Sequence, residues 1–149
     1  MIHRATSADV SAAAALACQL FESLTPEAAA AEMAELLARA DCAVFLARAQ
    51  GEAVGFAQCQ LRHDYVEGTS TSPVGYLEGI YVAPAHRRQG VARALLARCE
   101  AWAREMGCAE FASDCELTNA DSLAFHLRVG FAEANRIICF TKPLGKRQP

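Results

Sequence analysis

Hydrophobic and polar positions along the chain change period in blocks, and each block predicts an element. Ile2 to Ala5 reads as a short edge strand. From Ser7 to about Ser23 an inward stripe of Ala13, Leu16, Ala17, Leu20 and Leu24 recurs at helical spacing. Thr6 followed by Asp9 three residues on is a variant capping box that opens this helix. Thr25-Pro26-Glu27 combines a cap, a proline at the first helical position and an acidic first turn, so a second helix runs to about Ala40 and buries Met33, Leu36 and Leu37. Cys42 to Ala49 and Ala53 to His63 read as strands joined at Gln50-Gly51-Glu52 into a hairpin. Asp64 to Pro73 is a polar loop too long for a tight turn, a length often kept for function.

A β-branched and aromatic strand follows at Gly75 to Val82. The next helix, Arg88 to Met106, carries Val91, Leu95, Cys99, Trp102 and Met106 on one face, and Gly107 stops it. Ala109 to Asp114 is a short strand, Asn119 to Val129 a helix closed by Gly130, and Phe131 to Thr141 a last hydrophobic strand broken near Asn135-Arg136. The order describes one α/β (α+β) domain over residues 1–144, with 145–149 a disordered tail. The crossover from the Gly75–Val82 strand through the long helix to Ala109–Asp114 makes those two strands parallel and the connection right-handed.

Composition narrows the class. With 149 residues and 53% hydrophobic positions the chain is long enough for one core and too apolar for global disorder. No apolar run reaches the roughly 18 residues of a membrane span. The Ala-rich segment from Ser11 to Phe21 is read as an internal helix rather than a signal peptide, because Asp9 precedes it and a basic n-region is missing. Seven cysteines at irregular spacings contain no C-x-x-C pair, which argues against a disulfide framework and a zinc site and predicts no metal. Cys42, Cys59, Cys99 and Cys139 sit in apolar patterns as small hydrophobes, which points to a reducing cytoplasm. A net charge of −3 argues against a nucleic-acid binder and suits a cationic small molecule.

The most informative stretch is Val74 to Leu96, a strand, a Pro-containing turn, a basic Gly-bearing loop and a helix. Free backbone N–H groups at such a helix N-terminus, with the helix dipole, favour an anionic phosphate, and Gly90 lets the backbone approach it. Arg87-Arg88-Gln89-Gly90-Val91-Ala92 resembles the R/Q-x-x-G-x-G/A signature of the GCN5-related N-acetyltransferases. The resemblance implies that family's fold, a mixed central sheet of about six to seven strands splayed at the cofactor site and flanked by about four helices. It implies acetyl-CoA as co-substrate, with its pyrophosphate held by Arg87, Arg88, Gln89, Gly90, Val91, Ala92 and Arg93. Gly79, in mid-strand, marks either a bulge or close packing. A bulge would release the N–H groups of Ile80 and Val82, on either side of Tyr81, toward the thioester and the pantetheine arm. Asn119 resembles the family's asparagine that contacts that arm, and it is equally suited to cap its helix.

Acetylating an amine by direct attack requires a proton acceptor for the amine and a proton for the leaving thiolate. Glu78, a carboxylate on a mostly apolar strand, is the first candidate base, with a solvent-facing charge as the alternative. Asp114, ending the neighbouring parallel strand, faces the same cleft or begins the turn into the next helix. Where many family members carry tyrosine, four residues before the Gly130-Phe131 pair, this chain has His126, either a proton donor or a helix-surface residue.

A longer resemblance concerns the acceptor. Leu61-Arg62-His63-Asp64-Tyr65-Val66-Glu67-Gly68-Thr69, Ser72 to Val82, Pro84 to Arg88, Glu110-Phe111-Ala112-Ser113-Asp114 and Gly130-Phe131 are similar to the aminoglycoside 6′-N-acetyltransferases. This implies acetyl transfer to the 6′-amine of drugs such as kanamycin or tobramycin, drug contacts by Tyr65, Glu78 and Asp114, and a homodimer that shapes the cleft. Two positions that would touch the drug depart from that group's pattern: Phe21 stands where tryptophan is usual, and Asn135 where an acidic residue is common. Asp64, Glu67, Glu78, Asp114, Glu116 and Asp121 gather near the expected cleft, a setting that favours a polycation. The competing readings are an acetyltransferase for a polyamine or a protein N-terminus, and a non-catalytic acyl-CoA-binding module.

Overall fold

The structure is a computed structural model that describes residues 1–149. Five strands in the order β1 (Ile2–Arg4), β2 (Cys42–Ala49), β3 (Glu52–Arg62), β4 (Val74–Val82) and β5 (Phe111–Ser113) form a single sheet. The first four pair antiparallel and β5 joins β4 in parallel, as the strand–helix–strand unit requires. Gln50 and Gly51 both have positive φ, 51° and 84°, so the β2–β3 hairpin closes on a two-residue turn with the twist that adjacent strands favour.

The sheet is covered on both faces, which is why β2 reads as a continuous apolar run instead of an alternating one. Ala43, Phe45, Ala47, Ala57, Cys59 and Leu77 meet Leu95, Leu96, Cys99 and Trp102 of α3 (Val91–Glu105). The intervening residues Val44, Leu46 and Phe56 point the other way, onto α1 (Val10–Leu20) and α2 (Pro26–Ala38). A fourth helix, α4 (Ala120–Arg128), starts at Asn119, whose side chain accepts the Ser122 N–H at 3.1 Å, and Thr25 caps α2 in the same way through Ala28 N–H at 3.2 Å. Cys42, Cys59 and Cys99 are buried thiols, and burial pushes Cys42 up to about 11. Cys139, expected in the core, is exposed.

The expectation of six to seven strands is corrected to five. After Gly130, at φ 104°, residues 131–149 form no strand. A strand needs a partner for its ladder, and this segment leaves the body of the chain with Ile137, Ile138 and Phe140 exposed. Its near end does touch the fold: Ala134 packs so closely on Gly68 that a Cβ there would lie 2.4 Å from the alanine's own.

Asp9 is a buried carboxylate that fixes the start of the chain. It accepts the Thr6 N–H at 2.9 Å, Arg48 Nη2 at 3.0 Å and His3 Nε2 at 3.3 Å. The Thr6 amide is the main cause, with Arg48 and His3 adding to it against the cost of burial, that the carboxyl titrates at about 2 instead of 3.8. A depressed value stabilises the fold above the ordinary carboxylate range and is lost as pH falls through the folded value, here between about 4 and 2. Asp9→Asn is therefore expected to lower stability by about 2 kcal/mol at neutral pH and by almost nothing near pH 2. Urea midpoints of the two proteins at both pH values measure it, and an equal gap at both would mean that the charge is irrelevant.

Candidate active site

The site is built where β4 and β5 separate. Their parallel pairing covers only Gly75–Phe111, Tyr76–Ala112 and Leu77–Ser113, so beyond Leu77 the β5-facing edge of β4 has no partner strand. On the other edge, Leu77 pairs with Cys59 and Gly79 with Gln58, which leaves Glu78 as the extra residue of a β-bulge. The bulge expected at Gly79 thus centres on its neighbour, and it reverses the pleat. Before it, Gly75 N–H bonds Glu110 O on the β5 side; after it, Ala83 N–H bonds Val54 O on the β3 side. Ile80 and Val82, at alternate positions from Ala83, consequently turn their N–H groups to the open edge. Arg87 Nε donates to Val82 O at 2.7 Å from that side.

The reversal also separates Ile80 from Glu78, which regular alternation would have put on one face. Ile80 packs with the α3 core, whereas Gly79 lies against Leu20 and Phe21 of the α1 end and Tyr81 packs with the α1–α2 core. Glu78 therefore belongs to the α1 face of the fork. A Cβ on Gly79 would stand 3.2 Å from Phe21 Cζ, so the structure brings Phe21 against the residue that follows Glu78. Next to Phe21 a groove of about 500 Å³ runs between α1 and α2, lined by Leu24, Glu32, Met33 and Gln58.

Glu78 is not a bare charge. Arg62, at the end of β3, donates to Oε1 from Nε at 3.1 Å and Nη2 at 2.8 Å, and Nη2 reaches Oε2 at 3.1 Å. To get there the guanidinium lies 3.4 Å above the centre of the Tyr76 ring. The Tyr76 hydroxyl in turn donates to Asp114 Oδ2. Burial, then this contact with Asp114, raises the Tyr76 phenol and keeps it neutral. Both candidate carboxylates are thus joined through Arg62 and Tyr76 into one chain on the α1 face. Neither linking residue was singled out from the sequence. The signal was available in the ladder, since Gln60 faces Tyr76 and Arg62 faces Val74, which makes Arg62 and Tyr76 diagonal neighbours.

His126 is placed on the opposite side. Its Nδ1 lies 2.7 Å from Ser122 O and its Nε2 2.8 Å from Ser113 Oγ, with Phe131 and Phe125 beside the ring. It meets the fork only through Ser113, so the structure makes it neither a free surface residue nor a group that reaches the cleft directly. Tyr65 projects from the loop, 76% exposed. Asn135 donates to Glu67 Oε1 at 2.9 Å, tying residue 135 to that loop. Glu110 holds the loop from below, accepting the Ser70 and Thr71 N–H groups, each at 2.9 Å, and contacts with Thr71 first and then Ser70 depress its carboxyl.

The loop before α3 has the form of an anion site. Arg88 has φ 61° and Gly90 φ 82°, and Gly90 O accepts the first helical bond from Ala94 N–H. The N–H groups of Val91, Ala92 and Arg93 precede that bond and have no partner within the helix. Nothing lies within 4 Å of a Cβ built on Gly90, so glycine is required there by its left-handed backbone and not by crowding inside the chain. Gln89 Nε2 reaches Ala85 O at 3.4 Å, and Arg93 reaches Arg128 O at 3.3 Å, linking α3 to α4.

The family model of the acetyltransferase (GNAT) family matches residues 11–131. The chain belongs to the GNAT family. An aminoglycoside N(6′)-acetyltransferase type 1 of Stenotrophomonas maltophilia is 49% identical over 146 residues, covering 96% of this chain and 93% of the relative. The apo crystal structure of aminoglycoside 6′-N-acetyltransferase AAC(6′)-IG from Acinetobacter haemolyticus superposes with a TM-score of 0.92 at 40% identity, over 97% of this chain and 99% of that one. AAC(6′)-Iy in complex with the bisubstrate analogue CoA-S-monomethyl-acetylneamine gives a TM-score of 0.92 at 38% identity, over 96% and 97% of the two chains. The β4 edge beyond Leu77 has no partner strand, and nothing lies within 4 Å of a Cβ built on Gly90 at the helix start, so these are the two places where an acyl-CoA would be held. No helix is long and apolar enough to cross a membrane, and no cluster of three or more potential metal-binding side chains occurs.

Proposed function

We propose that this GNAT enzyme transfers the acetyl group of acetyl-CoA to the 6′-amine of aminoglycoside antibiotics and so confers resistance to them. The observation that carries the reading is the pair of carboxylates, Glu78 and Asp114, linked on the α1 face of the fork. The full-length likeness to enzymes named for this reaction supports it. An aminoglycoside carries several ammonium groups, and two carboxylates beside an aromatic side chain, Phe21, suit it.

In this reading the anionic end of the cofactor is held by Arg87 to Arg93 at the α3 start, and its amide arm bonds Ile80 and Val82 on either side of Tyr81. Asn119 acts as the cap of α4 and faces that arm from the side. Asp114 and Tyr65 orient the drug. Glu78 takes the amine's proton, directly or through water, on Oε2, which accepts one Arg62 contact where Oε1 accepts two. Asn135 closes the loop side of the cleft where an acidic residue would have added a third charge. The protein works in the cytoplasm as a homodimer. The exposed Ile137, Ile138 and Phe140 support a second copy covering the C-terminal segment.

The test is thiol release from acetyl-CoA with kanamycin and tobramycin, compared with spermidine and a peptide bearing a free N-terminus. Turnover of the two drugs at least about 100-fold more efficient than of either other amine is expected. A preference for spermidine or the peptide would overturn the substrate, and cofactor binding without thiol release from any amine would overturn catalysis.

A further inference from the structure

We propose that Ser113 is a catalytic residue of this enzyme, delivering to the leaving thiolate a proton that it draws from His126. The inference rests on the acetyl-transfer reading above. It starts from the alternation of β5. Consecutive residues of a strand point to opposite faces. Asp114 contacts Tyr76 on the α1 face, where the amine enters. Ser113 turns to the other face, the one covered by α3, whose first turn suits the cofactor's anionic end. With the thioester seated in the fork, an amine entering on the Asp114 side would leave the sulfur to depart on the Ser113 side.

Ser113 is also the last paired residue before the fork opens, opposite Leu77. Its Oγ sits 2.8 Å from His126 Nε2 and 3.3 Å from Leu77 O. On the far side of the imidazole, Nδ1 lies 2.7 Å from Ser122 O. A carbonyl oxygen only accepts, so Nδ1 carries a hydrogen in every protonation state, and Nε2 is the atom that gains or loses one. The histidine is thus fixed as a one-proton donor or acceptor aimed at a single oxygen. The long bond to Leu77 O leaves the serine hydrogen able to swing into the fork. No other part of the proposed mechanism uses this pair.

With His126 as imidazolium, the step balances as follows. The amine nitrogen, neutral after giving one proton through Glu78 to solvent, bonds the acyl carbon, the C–S bond breaks and its electron pair goes to sulfur. The Ser113 hydroxyl proton moves to that sulfur and an S–H bond forms. Ser113 Oγ takes the Nε2 proton, which restores the hydroxyl and leaves a neutral imidazole with Nδ1–H still on Ser122 O. The second N–H proton, shed as the amide forms, also leaves through Glu78 to solvent, and His126 regains one from solvent before the next turnover. Histidine is the side chain suited to such a cycle at physiological pH.

The experiment compares the wild type with Ser113→Ala, Ser113→Thr, His126→Asn and the Ser113→Ala/His126→Asn pair. Steady-state rates with kanamycin and the Kd for CoA by calorimetry are measured for each. Ser113→Ala is expected to lower kcat about 100-fold, the size of one general-acid contribution, with the Kd for CoA within about twofold. Ser113→Thr, which keeps the hydroxyl, should recover most of the loss. The double variant should be no slower than the slower single variant, because groups acting in series are lost together. In the unliganded protein, Ser113→Ala should also move the His126 Nε2 resonance and leave Nδ1 in place. Unchanged kcat in Ser113→Ala, multiplying losses in the double variant, or a CoA affinity that falls in step with kcat would each overturn the relay. If the wild type does not acetylate kanamycin, the substrate reading fails instead. The same ratios are then taken on the amine that it does acetylate, and they decide the relay there.

Discussion

Asp114→Asn is expected to reduce kcat/KM for kanamycin about 100-fold or more while leaving the Kd for acetyl-CoA within about twofold. The carboxylate accepts the Tyr76 hydroxyl through Oδ2, and Oδ1 is left for another donor. In the proposed complex that oxygen meets an ammonium group of the drug. Removing one partner of a hydrogen-bonded charge pair in a desolvated site costs about 2–5 kcal/mol, because the other charge is left without compensation. At 1.36 kcal/mol per tenfold, the lower half of that range already gives the stated loss. The cofactor is unaffected in this account, since its contacts lie on β4, beyond Leu77, and at the start of α3. The asparagine keeps the shape of the side chain and a hydrogen-bond partner for Tyr76, so the fold should persist. Parallel loss of drug turnover and acetyl-CoA binding would show that Asp114 merely holds β5 to β4.

Glu78→Gln tests the proton acceptor and has the second of the two largest effects. General-base assistance contributes about 10²- to 10⁴-fold, so the variant should be slower by at least about 100-fold at neutral pH. The deficit should shrink as pH rises, because a drug amine that has already lost its proton to solvent no longer needs the carboxylate. The environment explains why the group sits where it does. As the extra residue of the bulge, Glu78 is set onto the α1 face at the mouth of the fork, and the Arg62 guanidinium stacked on Tyr76 fixes its Oε1. Its side chain is 20% exposed and that of Arg62 38%, so the carboxylate is the more sheltered partner of a pair that still meets solvent. Glutamine leaves that guanidinium without its counter-charge, and a thermal melt distinguishes lost stability from lost chemistry. A rate–pH profile parallel to that of the wild type would remove Glu78 as the base.

Much of the fold was legible because its signals are local. The Thr25-Pro26-Glu27 start, the Gln50-Gly51 turn and the stop at Gly107 each name their own geometry, and all three elements stand where the pattern placed them. The central strands were legible from their apolar content and β5 from its place after α3. The C-terminal segment misled for a physical reason. Residues 131–141 have the hydrophobicity of a strand, but composition says nothing about whether an edge is available to pair with, and within this chain none is taken. The site divided in a similar way. Glu78 was conspicuous as a charge in an apolar strand and Gly90 as a glycine before a helix. Arg62, Tyr76 and Ser113 were silent, because each is an ordinary residue for a strand and gains its meaning from a neighbour on another strand or helix. The bulge decided their faces. A one-residue slip reverses every side chain that follows it, so the side on which Ile80 lay could not be read from alternation in β4 alone.

The most direct measurement of the central claim is a matched pair of acceptors that differ at one atom. Thiol release from acetyl-CoA is followed with an aminoglycoside bearing a 6′-amine and with its counterpart bearing a 6′-hydroxyl, and the acetylated product of the first is located by NMR. The account predicts fast turnover of the amine, an acetyl group on N6′ alone, and at least about 100-fold slower turnover of the hydroxyl compound. Comparable rates with the two, or an acetyl group on another nitrogen, would contradict it.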